Sequence, residues 1–136
     1  MSGIAGVGVD AVDVARFAAV LARRPGFASR YFTVGERADA EEAGDRVQSL
    51  AARFAAKEAV MKSLGIGIGG FPLTDVEVHR TGGGGATRGA PSVVLHGAAA
   101  DAARSRRIGS FHLSLTHTSE VAIAFVVAER DACSPS

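Results

Sequence analysis

The segment that decides the fold is RFAAKEAVMKSL, residues 53–64, which contains Lys57 and Lys62, the only two lysines of the chain. At 3.6 residues per turn, successive side chains of a helix are about 100° apart. The large apolar side chains then form one stripe, and alanines fill most of the remaining arc. The members of the stripe are Leu50, Phe54, Met61 and Leu64. This pattern predicts a helix over residues 46–64 that is buried on most sides, with an alanine face that lets another backbone approach closely.

The charges of this helix need an explanation, because Lys57 falls inside the apolar stripe. Arg53 and Lys57 are four residues apart, a like-charge spacing that costs about 0.2–0.5 kcal/mol. A buried charge is costly unless it is paired or bound to a ligand, so an anion is expected near these two side chains. A plain alternative is that Glu58 and Lys62 form a surface pair while Arg53 and Lys57 cover apolar surface with their stems.

Composition is that of one ordinary domain. The chain has 136 residues with 47% hydrophobic and 21% charged residues, a net charge of +1 and a pI of about 8.0. This balance does not favour nucleic acid or an anionic membrane as partner. One cysteine near the end, no apolar run of membrane-spanning length and no signal-peptide pattern predict a cytoplasmic protein. We expect a single domain over residues 1–130 and a disordered tail at 131–136.

Local patterns predict the elements around the long helix. Asp13 is expected to cap a first helix, Thr33 with Glu36 forms a capping-box pattern, and Asp45 is expected to cap the long helix. The alternating and β-branched segments predict strands, the last four of them in two hairpins. These strands are 4–10, 74–80, 92–97, 111–117 and 120–129, and an Ala-rich helix precedes the last hairpin.

Three further features bear on function. The strand GVGVD ends in Asp10, the loop GIGIGG at 65–70 follows the charged helix, and SLTHT at 114–118 places His117 at a hairpin end. Strand ends carry ligands in many α/β sheets, and glycine-rich loops expose backbone N–H groups to phosphates. The alternatives are a helix cap for Asp10, a common turn for the glycines and a turn histidine for His117.

Together these segments resemble the holo-acyl-carrier-protein synthase family, the small type of 4′-phosphopantetheinyl transferase. The resemblance covers nearly the whole chain in order. Its segments are GVGVDAVDVARF at the start, RYFTVGE at 30–36, LAARFAAKEAVMKSLGIGIG at 50–69, GAPSVVLHG at 89–97 and FHLSLTHTSEVAIAFVVAE at 111–129. It implies an α+β fold of the 4′-phosphopantetheinyl transferase type, with a small antiparallel sheet wrapped around and beside a long helix.

The resemblance also implies an activity: magnesium-dependent transfer of 4′-phosphopantetheine from coenzyme A to a serine of an apo carrier protein, in fatty acid biosynthesis. Asp10, Glu58 and Lys62 would be catalytic; Asp10 and Glu58 would hold Mg²⁺, and Lys62 would contact the phosphate under attack. Glu58, or a metal-bound water that it orients, would be the base for the serine hydroxyl. The remaining coenzyme A contacts would come from Arg53, Lys57, Gly65, Gly67, His117 and Thr118, with His112 as a second histidine candidate near the 3′-phosphate.

Partners follow from the same resemblance. An acidic carrier protein would dock on the first helix, and the protein would be a homotrimer with active sites shared across subunit interfaces. The carrier-binding side chains would be Arg16, Phe17, Arg23, Arg24 and Phe27. A coenzyme A-binding module without catalysis is the alternative, and the intact set of Asp10, Glu58 and Lys62 argues against it. Val12 stands where some larger relatives have a third acidic ligand, and Ile66 where a threonine is common.

Overall fold

A computed structural model of the chain describes residues 3–67, 69–80 and 90–131. Residues 82–85, a run of four glycines for which the sequence pattern predicts a turn, and most of the predicted disordered tail lie outside these residues. The strands and helices follow one another in a mixed order. They are β1 (Gly3–Asp13), α1 (Val14–Arg23), α2 (Phe27–Tyr31), α3 (Val34–Glu42), α4 (Arg46–Ser63), a 3₁₀ turn (Leu73–Asp75), β2 (Val76–Arg80), β3 (Pro91–Leu95), α5 (Gly97–Ser105), β4 (Ile108–His117) and β5 (Val121–Arg130).

Two antiparallel sheets flank the long helix α4. Strands β1, β5 and β4 form a three-stranded sheet in that order, and β2 with β3 forms a second sheet. Alanines of α4 and alternate residues of β5 share one core with β2. Its fully buried members include Ala55, Ala59, Val60, Val76, Val78, Ala124 and Val126. The predicted α+β class, with a small antiparallel sheet packed around a long helix, is confirmed.

Helix starts are set by the predicted caps. The Asp13 carboxylate accepts a hydrogen bond from the Arg16 backbone N–H at 2.8 Å, and Asp45 accepts one from Gln48 at 2.8 Å. Thr33 and Glu36 form a complete capping box at the start of α3. Gly65 ends α4 with φ of 72°, a conformation that residues with a Cβ avoid.

A second core, rich in aromatic residues, lies under α1 and the short helix α2. Sequence patterns did not predict helix α2. Phe17 is its centre: its ring centroid is 5.8 Å from that of Phe27, 6.4 Å from that of Phe32 and 5.5 Å from that of Phe54. These contacts bury Phe17 almost completely. Five residues are too few for a recognisable helical period, so α2 is held by this packing.

The outer face of the three-stranded sheet is apolar and exposed in the single chain. Val9 pairs with Phe125 across β1 and β5, and the two side chains are 54% and 46% exposed. Val7, one pleat away on the same face, is also exposed. Contiguous exposed apolar residues of this kind mark interaction surfaces. None of the described helices is long and apolar enough to cross a membrane.

Candidate active site

Two glycines bring β1 and α4 into backbone contact. A Cβ on Gly8 would lie 1.9 Å from the Ala59 carbonyl oxygen, and one on Gly6 would lie 1.9 Å from that of Ser63. Side chains alternate between the faces of a strand, so Asp10 is the next residue after Gly6 and Gly8 on the face toward α4. The spacing of GVGVD therefore lets the helix sit against the strand and places a carboxylate beside it.

Asp10 meets Lys62 at this contact. Lys62 Nζ lies 3.1 Å from Asp10 Oδ1 and donates to the Val9 carbonyl oxygen at 3.0 Å. The Lys62 side chain is 52% exposed, whereas that of Asp10 is only 18% exposed. The ammonium is thus held by β1, which continues to Asp13 beyond the predicted strand end at Asp10, while it remains accessible to a ligand from solvent.

Glu58 lies one helical turn before Lys62 and faces the same carboxylate. Its pKa is raised, first by burial and then by the negative charge of Asp10, while Lys62 opposes the rise. Two carboxylates that repel each other across a groove fit a cation between them. Within the described residues no group of three or more His, Cys, Asp or Glu side chains could hold a metal. Asp10 and Glu58 form a pair of neighbouring carboxylates. Such a site suits Mg²⁺, which keeps several waters and binds substrate phosphates.

A groove of about 550 Å³ runs from these carboxylates along α1. Asp10 and Glu58 line it, and so do all the residues predicted to bind the carrier protein. Those residues are Arg16, Phe17, Arg23, Arg24 and Phe27, with Phe54 from α4. Arg16, Arg23 and Arg24 are exposed at the rim, so the structure brings the predicted metal ligands and the predicted docking charges to one surface.

Phe17 corrects one part of that prediction. It lines the groove but is 5% exposed because three aromatic rings surround it, so it is a core residue and not an exposed anchor. Phe27 is partly buried, with its ring 4.7 Å from that of Tyr31, and retains a face toward the groove.

Lys57 corrects a second prediction, that it holds a coenzyme A phosphate. Its side chain is wholly buried, and Nζ donates to Glu36 Oε1 at 2.7 Å and to the carbonyl oxygens of Leu73 at 2.9 Å and Val76 at 2.6 Å. These three acceptors occupy all three N–H donors of the ammonium. Burial lowers the pKa of Lys57, and the Glu36 carboxylate acts against that shift. The expected anion is therefore a side chain of the same chain.

Arg53 is corrected in the same way. It is 5% exposed, bonds to the Ser49 hydroxyl and lies 3.5 Å from Asp39 of α3. It lines neither the groove nor the pocket described below. Arg53 and Lys57 thus face α3 and β2, whereas Glu58 and Lys62 face β1. Sequence reasoning missed Glu36 as the partner of Lys57. It had assigned Glu36 only to the capping box of α3, so nothing pointed to a second role as the acceptor of a buried lysine.

His117 and Thr118 lie at the β4–β5 turn, and neither residue lines the groove. Strand register places His117 opposite Ala122, at the level of Val12 and two strands from β1. The Thr118 hydroxyl accepts hydrogen bonds from the backbone N–H groups of Glu120 and Val121, each at 3.1 Å, and so closes the turn. His112 is on the outer sheet face, 3.0 Å from Glu129, and is not near the groove residues.

Gly65 lines a second pocket, of about 330 Å³, together with Lys62. Gly67 is exposed in the loop after α4. Arg106 and Arg130 also line this pocket, and sequence reasoning selected neither of them. The signal was present as the run RSRR at 104–107, which stands out in a chain of net charge +1.

A family model, curated relatives and solved structures all match this chain to one family. The model of the 4′-phosphopantetheinyl transferase superfamily matches residues 6–126. A holo-acyl-carrier-protein synthase of Frankia alni is 53% identical over 126 residues, which cover 93% of this chain and 98% of that protein.

Two solved structures are similar over nearly their whole length. Holo-acyl-carrier-protein synthase from Neisseria meningitidis has a TM-score of 0.81 at 31% identity, with 93% of this chain and 98% of that chain covered. The enzyme of that name from Helicobacter pylori, solved in complex with coenzyme A, has a TM-score of 0.74 at 28% identity, with 90% and 98% covered.

Proposed function

The chain belongs to the 4′-phosphopantetheinyl transferase superfamily and, within it, to the holo-acyl-carrier-protein synthases; on this premise we propose a magnesium-dependent reaction in fatty acid biosynthesis. The enzyme transfers 4′-phosphopantetheine from coenzyme A to a serine of an apo acyl carrier protein. The observation that carries the proposal is the meeting of Asp10, Glu58 and Lys62 at a groove with an arginine rim.

Asp10 and Glu58 would hold the Mg²⁺ in this proposal. The fit is supported by the raised pKa of Glu58, which is due first to burial and then to the negative charge of Asp10. When bound, the ion supplies positive charge that polarises phosphoryl oxygens and offsets charge in the transition state.

Lys62 binds the phosphate that is attacked, because its ammonium is both fixed by β1 and open to solvent. The serine oxygen forms a bond to the pantetheine-side phosphorus, the bond from that phosphorus to the bridging oxygen breaks, and adenosine 3′,5′-bisphosphate leaves. Glu58 accepts the hydroxyl proton, since it lines the groove together with Asp10 and the arginines of the docking surface. Positioning and charge account for most of the catalysis in such phosphoryl transfers.

The carrier protein docks along α1. Arg16, Arg23 and Arg24 are exposed beside the groove and suit an acidic partner, with Phe27 as an apolar contact. A serine presented over this rim lies next to Asp10 and Glu58. The proposed compartment of this reaction is the cytoplasm.

The assembly in this proposal is a homotrimer with shared active sites. Two observations support it: the outer sheet face around Val9 and Phe125 is apolar and exposed, and His117 lies two strands from β1, which carries Asp10. Packing of the outer face against a second copy covers the apolar residues and lets a neighbouring subunit complete the coenzyme A site.

The experiment that tests the function is an assay of apo acyl carrier proteins incubated with coenzyme A and the purified protein, with mass spectrometry of the carrier as readout. We expect a mass gain of one phosphopantetheine with Mg²⁺ and none with excess chelator. The absence of any gain across free fatty-acid, polyketide and synthase-embedded carriers contradicts the proposal.

A further inference from the structure

Asp13 is a third carboxylate on the groove that Asp10 and Glu58 line, and its contact differs from theirs. It ends β1 and is the N-cap of α1, where its Oδ1 accepts a hydrogen bond from the Arg16 backbone N–H at 2.8 Å. Arg16 lines the same groove. One hydrogen bond therefore joins the strand that carries a proposed metal ligand to the helix on which the carrier protein is proposed to dock.

The first turn of α1 has few other restraints. The first N–H groups of a helix have no acceptor within the helix. Here the Val14 N–H donates to the Glu120 carbonyl oxygen at 2.9 Å, whereas the Arg16 N–H depends on Asp13. Val14 and Phe17 are buried, but the Arg16 side chain is exposed. Without the Asp13 carboxylate, α1 should therefore stay attached to the core and loosen at Arg16.

The Arg16 guanidinium is not used up by this contact. Asp13 accepts from the backbone of Arg16, and within the described residues no ion pair joins the Arg16 side chain to a carboxylate. The side chain is thus open to an acidic partner, while the cap fixes the backbone that carries it. A contact residue that is already ordered loses less conformational entropy when its partner binds.

We propose that Asp13 is a positioning residue for carrier docking: its cap holds the first turn of α1, and with it Arg16, beside the proposed metal ligands. The inference rests on the proposed function and adds a residue that acts through Arg16 and not on the reacting atoms. Without the cap, the carrier protein must order this turn as it docks, so docking weakens by the free energy that the cap supplied. The chemical step that follows docking is unchanged.

Two other roles fit the same position: a further metal ligand, or a cap that stabilises the fold without any effect on docking. Asn separates the first from the proposal, because it caps a helix as well as Asp does but brings no negative charge to a metal. The experiment is steady-state transfer kinetics with coenzyme A, Mg²⁺ and an apo acyl carrier protein. It compares wild type with Asp13→Ala and Asp13→Asn.

Asp45→Ala is the matched control for the second role. Asp45 caps α4 through the Gln48 N–H, also at 2.8 Å, is exposed like Asp13 and does not line the groove. Both alanine variants remove the same kind of cap, so both should lower the urea concentration at the midpoint of unfolding by similar amounts. A difference between them in carrier docking then cannot come from stability alone.

Asp13→Ala should raise the KM for the carrier protein about fivefold, equivalent to about 1 kcal/mol, the usual value of a cap. Turnover at saturating carrier and the KM for coenzyme A should keep their wild-type values. Asp13→Asn should restore the KM for the carrier, and Asp45→Ala should leave it unchanged. Adding Asp13→Ala to Arg16→Gln should raise this KM no further, because the two residues act as one unit.

A wild-type KM for the carrier in Asp13→Ala, or an equal rise in Asp45→Ala, overturns the positioning role. Loss of turnover at saturating carrier in both Asp13 variants identifies a metal ligand and overturns it as well. In each of these cases wild type still transfers phosphopantetheine, so the proposed function stands. A wild type that modifies no apo carrier overturns both proposals.

Discussion

Lys57 Nζ lies 2.7 Å from Glu36 Oε1, and both side chains are wholly buried. Glu36 also accepts hydrogen bonds from the backbone N–H groups of Thr33 at 2.9 Å and Val78 at 2.9 Å. The pair therefore joins α4, the start of α3 and β2 through one hydrogen-bond network. Lys57 directly precedes Glu58, so the pair links the interior of the fold to the helix that carries the proposed catalytic side chains.

Lys57→Met is expected to reduce the free energy of unfolding by about 3–5 kcal/mol, because it leaves the Glu36 carboxylate buried without its cation. Urea unfolding followed by circular dichroism measures the change. The double variant Lys57→Met with Glu36→Gln should recover part of the loss, since the uncompensated charge is gone. A double variant no more stable than the single one contradicts the pairing.

Lys62→Met is the matched control on the same helix. Because Lys62 is largely exposed, its loss should change the free energy of unfolding by no more than about 1 kcal/mol. Transfer activity should nevertheless collapse. An active Lys62→Met enzyme would remove Lys62 from the phosphate site.

Gly8→Ala is expected to destabilise the protein by about 1–3 kcal/mol or to push β1 away from α4, because the new Cβ meets the Ala59 carbonyl oxygen. Activity should fall with stability, since Asp10 follows on the same strand face. Gly26→Ala is the control: a Cβ there has no heavy atom within 4 Å and should change stability by no more than about 0.5 kcal/mol. Equal stability for the two variants refutes the close-contact argument.

Glu77→Gln is expected to show a pH-dependent loss of stability. Its carboxylate bonds to His96 at 2.9 Å and to the Thr33 hydroxyl at 2.9 Å, and these contacts, with His79 nearby, lower its pKa. A pKa lower in the folded than in the unfolded state means that the ionised form stabilises the fold. This stabilisation is complete above the ordinary glutamate pKa of about 4.3 and is lost as pH falls through the lower folded value.

The difference in unfolding free energy between wild type and Glu77→Gln should accordingly be larger at pH 7 than at acidic pH. Urea unfolding of both proteins at several pH values, from pH 7 to below the ordinary glutamate pKa of about 4.3, measures this difference. A difference that does not change with pH would show that Glu77 contributes no titration-linked stability.

Phe125→Glu should dissociate the proposed trimer, because it places a charge in the middle of the exposed apolar sheet face. Sedimentation equilibrium measures the mass of the assembly. Val34→Glu is the control, since Val34 is 74% exposed on α3 and outside that sheet. A monomeric wild type, or a Phe125→Glu variant of trimeric mass, contradicts the assembly.

The sequence predicted those parts of the fold that depend on neighbouring residues. Asp13, Thr33 and Asp45 cap helices as their local patterns indicate, and the long buried helix follows from its alanines and apolar stripe. Asp10 and Lys62 were selected by family motif, and the structure places them 3.1 Å apart. The like-charge spacing of Arg53 and Lys57 also correctly predicted that anionic groups lie near both side chains.

The sequence did not identify which anions pair with Arg53 and Lys57. Glu36 precedes Lys57 by 21 residues and Asp39 precedes Arg53 on the same separate helix, so only tertiary packing reveals the pairs. Phe17 was misread for the same reason: a helix surface pattern does not say whether aromatic rings from α2 and α4 cover it. Arg106 and Arg130 are likewise joined only by the meeting of four chain segments.

The measurement that tests the central claim most directly is the mass of an apo acyl carrier protein after incubation with coenzyme A, Mg²⁺ and either wild type or Glu58→Gln. Unfolding curves establish that the variant is folded. The account predicts that wild type adds one phosphopantetheine to the carrier and that folded Glu58→Gln adds none within the same time. A folded Glu58→Gln variant that modifies the carrier at the wild-type rate would contradict it.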